Sequence, residues 1–440
     1  LITLPISRPD TKLIMDLKVA VIGAGPAGLV SAKIFRDNPN IREVKVFECR
    51  EDLGGQWFYS PLGTKDTPDD DLHKQLYGVA QCSIYDELYL NFPAASMNFS
   101  GLSKVYSKTF CHRSEVFAYY KEYAEHFDLY RLINFNTAVT LVNPLTEEEI
   151  EVTTRNKQGE ETSEVFNRVA VCIGNFSVPF IPTFEGQDSF TGRISIFKDF
   201  KHLLPEEFEG KTILIVGGGA SCLDALKVLL VACSSTRVIL SGDGFIMSLF
   251  IESPDIQLFI QEGRLIVKPR IASISGGVVK FADSSEQSVD EVVLCSGYVH
   301  KLPFLPHQVL SEEGRYLENL YKGMIDALHP RIAHISLFKG LAAVRLEQSA
   351  RFVLQEWLRN PDIEMMRRVI AEDEREYTEA GKPKRKTYES LIIPRQLFAF
   401  FSNLGIESDP AVQDYLNRVF GQMFAGIKTL SLSYKDCEYS

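Results

Sequence analysis

The residues best spaced to do chemistry are three glycines, Gly23-x-Gly25-x-x-Gly28, with Glu48 twenty positions further on. In such a run the first glycine permits a tight turn and the second lets main chain approach a pyrophosphate. The third lets a helix pack closely on a strand. The helix N-terminus that follows attracts negative charge. Pro26 and Ala27 complete the turn. A carboxylate at Glu48 can accept hydrogen bonds from both hydroxyls of a ribose and would repel a 2′-phosphate. The first run therefore reads as a site for FAD or NAD and against NADP, with Arg50 grouped beside Glu48 on the ligand side. A second run, Gly217, Gly218, Gly219, Ala220, Ser221, Cys222, repeats the pattern with Cys222 in the third glycine's place.

These residues need elements to hold them. The apolar run 18–22 predicts a buried strand, 29–35 a helix, and 44–47 a second strand ending at Glu48. This strand–turn–helix–strand unit recurs about 190 residues later as a strand over 212–216, a turn over 217–219, a helix over 223–232 and a strand over 237–240. Between the copies, 138–142 and 150–154 are strand-like, 157–163 is polar and turn-like, and 169–173 is a buried strand. Pro179 and Pro182 mark a crossing into the second unit. The strand 292–294, followed by Ser296, Gly297 and Tyr298, marks the return. The fold class is α/β, with two Rossmann-like dinucleotide-binding domains, the second inserted into the first. Residues 17–182 and 298–440 form the first and 183–297 the second, with 1–16 a short arm. From about 360 the chain reads as helical and charged, with 373–386 a solvated helix face and loop.

The bulk composition fits this reading. The 440 residues are 45% hydrophobic and 24% charged, ordinary for a globular chain. The 47 basic and 58 acidic side chains leave a net charge of −11, which disfavours a phosphate backbone as partner, so no nucleic acid is expected. None of the eight cysteines, Cys49, Cys82, Cys111, Cys172, Cys222, Cys233, Cys295 and Cys437, forms a Cys-x-x-Cys pair. They read as small buried hydrophobes in a reducing, cytoplasmic setting, with no metal site. No apolar stretch reaches the roughly 18 residues of a membrane span. The first 16 residues lack a basic start and carry Pro5, Pro9 and Asp10, unlike a signal peptide.

After Glu48 come Gly54, Gly55, Gln56 and Trp57, and here the sequence resembles the flavin-containing monooxygenase family, the class B flavoprotein oxygenases. The family carries a Gly-Gly-x-Trp segment along its FAD. The resemblance implies FAD at the first turn and NADPH or NADH at the second, held by Gly217, Gly219, Ser221 and Cys222. The stretch 84–93 is similar to the family segment ending in an active-site asparagine, here Asn91, whose amide can donate and accept at once. The crossings near 169–174 and 294–298, and the return through 320–355, extend the likeness from about Leu17 to Arg359. The implied chemistry is flavin reduction by NAD(P)H, O2 addition to give a C4a-(hydro)peroxyflavin, and attack on its distal oxygen by a small amine or sulfide. The cofactor carries the hard step, so no acid–base pair is required of the protein. The layout is similar to soluble bacterial trimethylamine monooxygenases, without a membrane tail, and family analogy admits a homodimer.

Two departures matter. The linker Phe190-Thr-Gly192-Arg-Ile-Ser-Ile196-Phe-Lys-Asp-Phe200 is similar to the family's F-x-G-x-x-x-H-x-x-x-[FY] pattern, but Ile196 replaces the histidine, which puts coupling in doubt. Counting from Cys222 as from Gly28 to Glu48 lands on Gly242, followed by Asp243, and no arginine stands between Arg237 and Arg264. Asp243 then either favours a free 2′-hydroxyl, hence NADH at least as well as NADPH, or is a turn residue of Gly242-Asp243-Gly244. Two alternatives follow. One is a Baeyer–Villiger enzyme acting on ketones, against which Phe200 in place of tryptophan argues. The other is an FAD-binding NAD(P)H oxidase or partner protein with weakened oxygenase activity.

Overall fold

The computed structural model describes residues 16–90, 94–202, 204–242, 254–306, 309–311, 314, 318–335, 342–359 and 363–379. Two sheets organise them, the first mixed with a parallel centre and the second wholly parallel. The apolar strand Leu17–Ile22 is buried along nearly its whole length, as expected of a strand covered on both faces. It lies between Ile41–Phe47 and Arg168–Val171, parallel to both. Around this centre the seven-stranded sheet runs Leu320–Tyr321, Ile325–Asp326, Ile332–His334, Arg168–Val171, Leu17–Ile22, Ile41–Phe47, Ile133–Asn134.

The second sheet has five parallel strands in the order Leu265–Lys268, Arg237–Ser241, Thr212–Val216, Glu291–Leu294, Arg193–Ile196. All of them fall between Arg168–Val171 and Leu320–Tyr321 of the first sheet, so one sheet is inserted into the chain of the other. In each, the central strand has its immediate successor on one side and a distant downstream strand on the other. That arrangement leaves a crevice beyond the strand ends at the point where strand order reverses. Both glycine runs begin there. The strand ends are level: Ile22 lies opposite Phe47 and Val171, and Val216 opposite Ser241 and Leu294.

The helix Pro26–Arg36 buries Leu29, Val30 and Phe35 against the first sheet. Phe35 stacks 5.4 Å from Trp357 of the helix Ala342–Arg359, and the Trp357 indole N–H donates to Pro330 O at 3.1 Å. In the second unit the helix Ala220–Lys227 buries Cys222, Leu223 and Leu226, and a π-turn, Val228–Ala232, extends it. No helix among the described residues is long and apolar enough to cross a membrane.

Some bounds differ from the sequence reading. The first helix begins at Pro26, not 29, because proline's fixed φ suits the first helical position. The polar stretch 157–163 is only partly a turn. Glu161–Phe166 is the third strand of an antiparallel sheet with Thr137–Pro144 and Ile150–Asn156, an edge strand with mostly exposed side chains and hence no apolar signal.

Candidate active site

The first turn is closed by main-chain contacts that leave no room for side chains. Gly23 has φ +98°, and a Cβ there would lie 2.8 Å from Cys172 O. Its N–H donates to Phe47 O at 2.7 Å. A Cβ on Gly28 would lie 1.8 Å from Gly23 O, so helix and turn touch through main chain. Gly25 caps the helix without a side-chain hydrogen bond, and no acidic residue stands in the first helical turn. The first N–H groups of a helix have no partners within it, so this end suits an anion.

Glu48 is 2% exposed. Its Oε2 accepts from Ala24 N at 2.7 Å and its Oε1 from Arg50 N at 3.0 Å. Burial raises its pKa despite those bonds. The carboxylate thus ties the end of the second strand to the glycine turn, a role the sequence did not disclose. Arg50 donates from Nη1 to Phe58 O at 3.0 Å and lies 4.1 Å over the Phe58 ring. Gly55, Gln56 and Trp57 form a single 3-10 turn with Trp57 buried. Gly54 N donates to Ala24 O at 2.9 Å, and a Cβ on Gly55 would come within 3.0 Å of Gly25 Cα. Two distant glycine segments therefore share one narrow cradle, with Pro26 and Ala27 at its helical lip.

The second turn repeats this geometry. Gly217 has φ +139°, and a Cβ there would lie 2.3 Å from Cys295 O. Its N–H donates to Ser241 O at 2.9 Å, as Gly23's does to Phe47 O. Cys172 N accordingly donates to Ile22 O, and Cys295 N to Val216 O, both at 2.8 Å. Gly219 caps its helix with no side-chain bond and with open space where a Cβ would be. Ser221 is half-buried and Cys222 fully buried behind it. The main chain makes Gly242 the counterpart of Glu48. A Cβ there would lie 2.1 Å from Gly217 O, so the position holds no side chain.

Asn91 and Asp243 lie outside the described residues. The flanks of Asn91 are anchored: Leu90 N donates to Cys111 O at 3.0 Å, and Ala94 N to Thr109 O at 2.7 Å. Ile196 is half-buried at the end of its strand, opposite Leu294. Just beyond it stand two residues that the sequence reading passed over. Lys198 and Lys201 are buried, and both reach from the linker to main chain of the first unit. Two lysines three positions apart, Lys198 within the aromatic run Phe197–Phe200 and Lys201 directly after it, were the available signal.

A profile described as flavin-binding monooxygenase-like matches residues 16–253. The chain belongs to this family. A trimethylamine monooxygenase of Roseovarius nubinhibens is 30% identical over 336 residues, covering 73% of this chain and 70% of that one. Another, of Pelagibacter ubique, is 32% identical over 333 residues, with 73% and 70% covered. The structure of an S-allyl-L-cysteine S-oxygenase from Allium sativum superposes with a TM-score of 0.78 at 22% identity, covering 96% of this chain and 95% of that chain. That likeness supports the fold. Flavin-dependent oxidoreductase chemistry comes with the family.

Proposed function

We propose that the chain is an FAD- and NAD(P)H-dependent monooxygenase that transfers one atom of O2 to the nitrogen of a small amine or the sulfur of a small sulfide. The repeated turn carries the reading: two uncapped helix ends, each at the switch point of its own sheet, within a member of a flavin-binding monooxygenase family. Gly23, Gly25, Pro26, Ala27 and Gly28 would receive the FAD pyrophosphate. Glu48 would face its ribose, and Arg50, Gly55, Gln56 and Trp57 would flank it. Gly217, Gly219, Ser221 and Cys222 would receive the nicotinamide nucleotide within an inserted domain, 183–297. When bound, the flavin accepts hydride from the nicotinamide and activates O2. By the family resemblance, Asn91 would supply an amide to that chemistry. The relatives named trimethylamine monooxygenase favour an amine as first substrate to try. With Asp243 in the sequence just after Gly242 and no arginine between Arg237 and Arg264, NADH should serve at least as well as NADPH.

The test counts product against reductant. With trimethylamine, a dialkyl sulfide or a cyclic ketone present, oxygenated product per NAD(P)H oxidised should approach one for the amine or sulfide. Hydrogen peroxide matching NAD(P)H consumption regardless of substrate would replace the reading with an oxidase. Lactone from the ketone would replace it with a Baeyer–Villiger enzyme. A kcat/KM strongly favouring NADPH would remove the expectation about NADH.

A further inference from the structure

We infer that Lys198 and Lys201 are positioning residues, a two-lysine latch that fixes the 81–90 segment, which leads in sequence to Asn91, against the linker between the two sheets. Lys198 Nζ donates to Gln81 O at 3.3 Å and to Ser177 O. Lys201 Nζ donates to Cys82 O at 2.6 Å and to Ile84 O at 3.5 Å. The linker answers with its own main chain, as Asp86 N donates to Lys201 O at 2.9 Å. Asp199, between the two lysines, accepts from Thr64 N at 3.2 Å and Thr64 Oγ1 at 2.9 Å. Tyr85 packs edge-on against Phe197 at 5.5 Å. Four residues after Asp86, Leu90 is the last described residue before Asn91.

Main-chain carbonyls, not carboxylates, are the hydrogen-bond partners of both ammonium groups among the described residues. An ammonium held this way, at 3% and 5% exposure, has lost its water without gaining an ion pair. Burial accordingly pulls the pKa of Lys198 down to about 7, with Lys201 beside it adding repulsion. Lys201 is shifted down as well. The groups facing Lys198 are Lys201 and Asp199 on its own segment and Arg50, His73 and Cys82 across the interface, with Tyr298 close to Cys82 and Asp199. His73 is buried and held neutral, its pKa lowered to about 3. The sign follows from linkage. Opening the interface rehydrates Lys198 and restores its ordinary affinity for a proton. Opening therefore takes up a proton, and the closed latch is favoured as pH rises above 7. Residue 196 being isoleucine, Lys198, Asp199 and Lys201 are charged linker residues that hold the first unit among the described residues.

The positioning role rests on the oxygenase reading above, while the latch itself is tested without it. Amide hydrogen exchange is followed in the full chain, with the Asp86 amide and the 81–90 segment as reporters, in the unsubstituted protein and in Lys198→Met and Lys201→Met. After correction for intrinsic exchange, protection in the unsubstituted protein should rise with pH between 7 and 9, at most about tenfold per unit. In Lys198→Met it should be weaker and flat with pH. In both variants peroxide released per NAD(P)H should rise severalfold with KM for NAD(P)H within about twofold. Equal pH slopes with and without Lys198 overturn the latch. Altered exchange with unchanged peroxide release in both variants overturns the positioning role. If the unsubstituted chain oxygenates nothing, the functional reading falls and the exchange slopes alone decide the latch.

Discussion

Gly28→Ala is the most demanding test of the first turn. The added Cβ would stand 1.8 Å from Gly23 O and 2.9 Å from Gly23 C. An unstrained carbon contact is about 3.5 Å, so turn and helix must part by roughly 1.5 Å. The turn cannot retreat, since Gly23 N is tied to Phe47 O and Cys172 O crowds Gly23 from the other side. The helix must move, and its far face is packed through Phe35 on Trp357. Overpacking of this kind costs about 3 kcal/mol, which in a chain of this size corresponds to a fall in Tm of roughly 3–5 °C. The displaced N-terminus would also lose its aim at the pyrophosphate, and misplacement by about an ångström is worth on the order of 100-fold. Flavin content from the visible spectrum, and FAD affinity by fluorescence titration of the apoprotein, read the effect directly. Cys222→Ala is the control, because its position already carries a Cβ, and flavin content should not change. FAD affinity within threefold and Tm within about 2 °C in Gly28→Ala would refute the argument from close approach.

The other expectations are more local. Glu48→Gln turns an amide NH2 toward one of two main-chain donors, Ala24 N or Arg50 N; a loss of about 1–3 kcal/mol in stability and weaker FAD retention should follow in denaturant and titration curves. For Lys198, with a folded pKa of about 7 below its ordinary 10.5, the unfolded chain binds the proton more tightly between those values. Its contribution to stability therefore rises with pH across that window and is flat below it. Urea unfolding at pH 7 and 9 should show the unsubstituted protein gaining about 2 kcal/mol relative to Lys198→Met. Gly242→Glu, which copies Glu48 into the second turn, should not graft ribose recognition; its Cβ meets Gly217 O at 2.1 Å, and lower stability with weaker nicotinamide binding is expected from calorimetry.

What could be read beforehand follows from where local chemistry and three-dimensional placement coincide. Gly23, Gly25 and Gly28 are dictated by the turn they form, so their spacing disclosed the turn, and the flanking apolar runs disclosed parallel strands buried on both faces. The strand Glu161–Phe166 stayed hidden because it is an edge with polar side chains on most positions, where periodicity carries no apolar signal. The hydrogen bond from Ala24 N to Glu48 was also invisible, since spacing says that an acid sits near the turn and not which way its oxygens face. Lys198 and Lys201 were missed for a related reason. Lysine is ordinarily read as surface, and their burial depends on two segments more than a hundred residues apart meeting at 81–84.

The two turns show how one supersecondary unit can be used twice with different room at the equivalent position. The main-chain ties correspond, from Gly23 N to Phe47 O in one and Gly217 N to Ser241 O in the other. What differs is how close the next residue comes. At Glu48 the strand leaves space for a side chain that folds back onto Ala24 N. At Gly242 the chain passes so near Gly217 O that any Cβ is excluded. The equivalent position thus cannot carry an acid to refuse a 2′-phosphate, nor an arginine to bind one. If the second turn receives the nicotinamide nucleotide as proposed, selectivity there must come from residues after 242 or from another loop. A count of residues from Cys222 finds the right position there, but the absence of a side chain is imposed by packing and is not itself a preference for NADH.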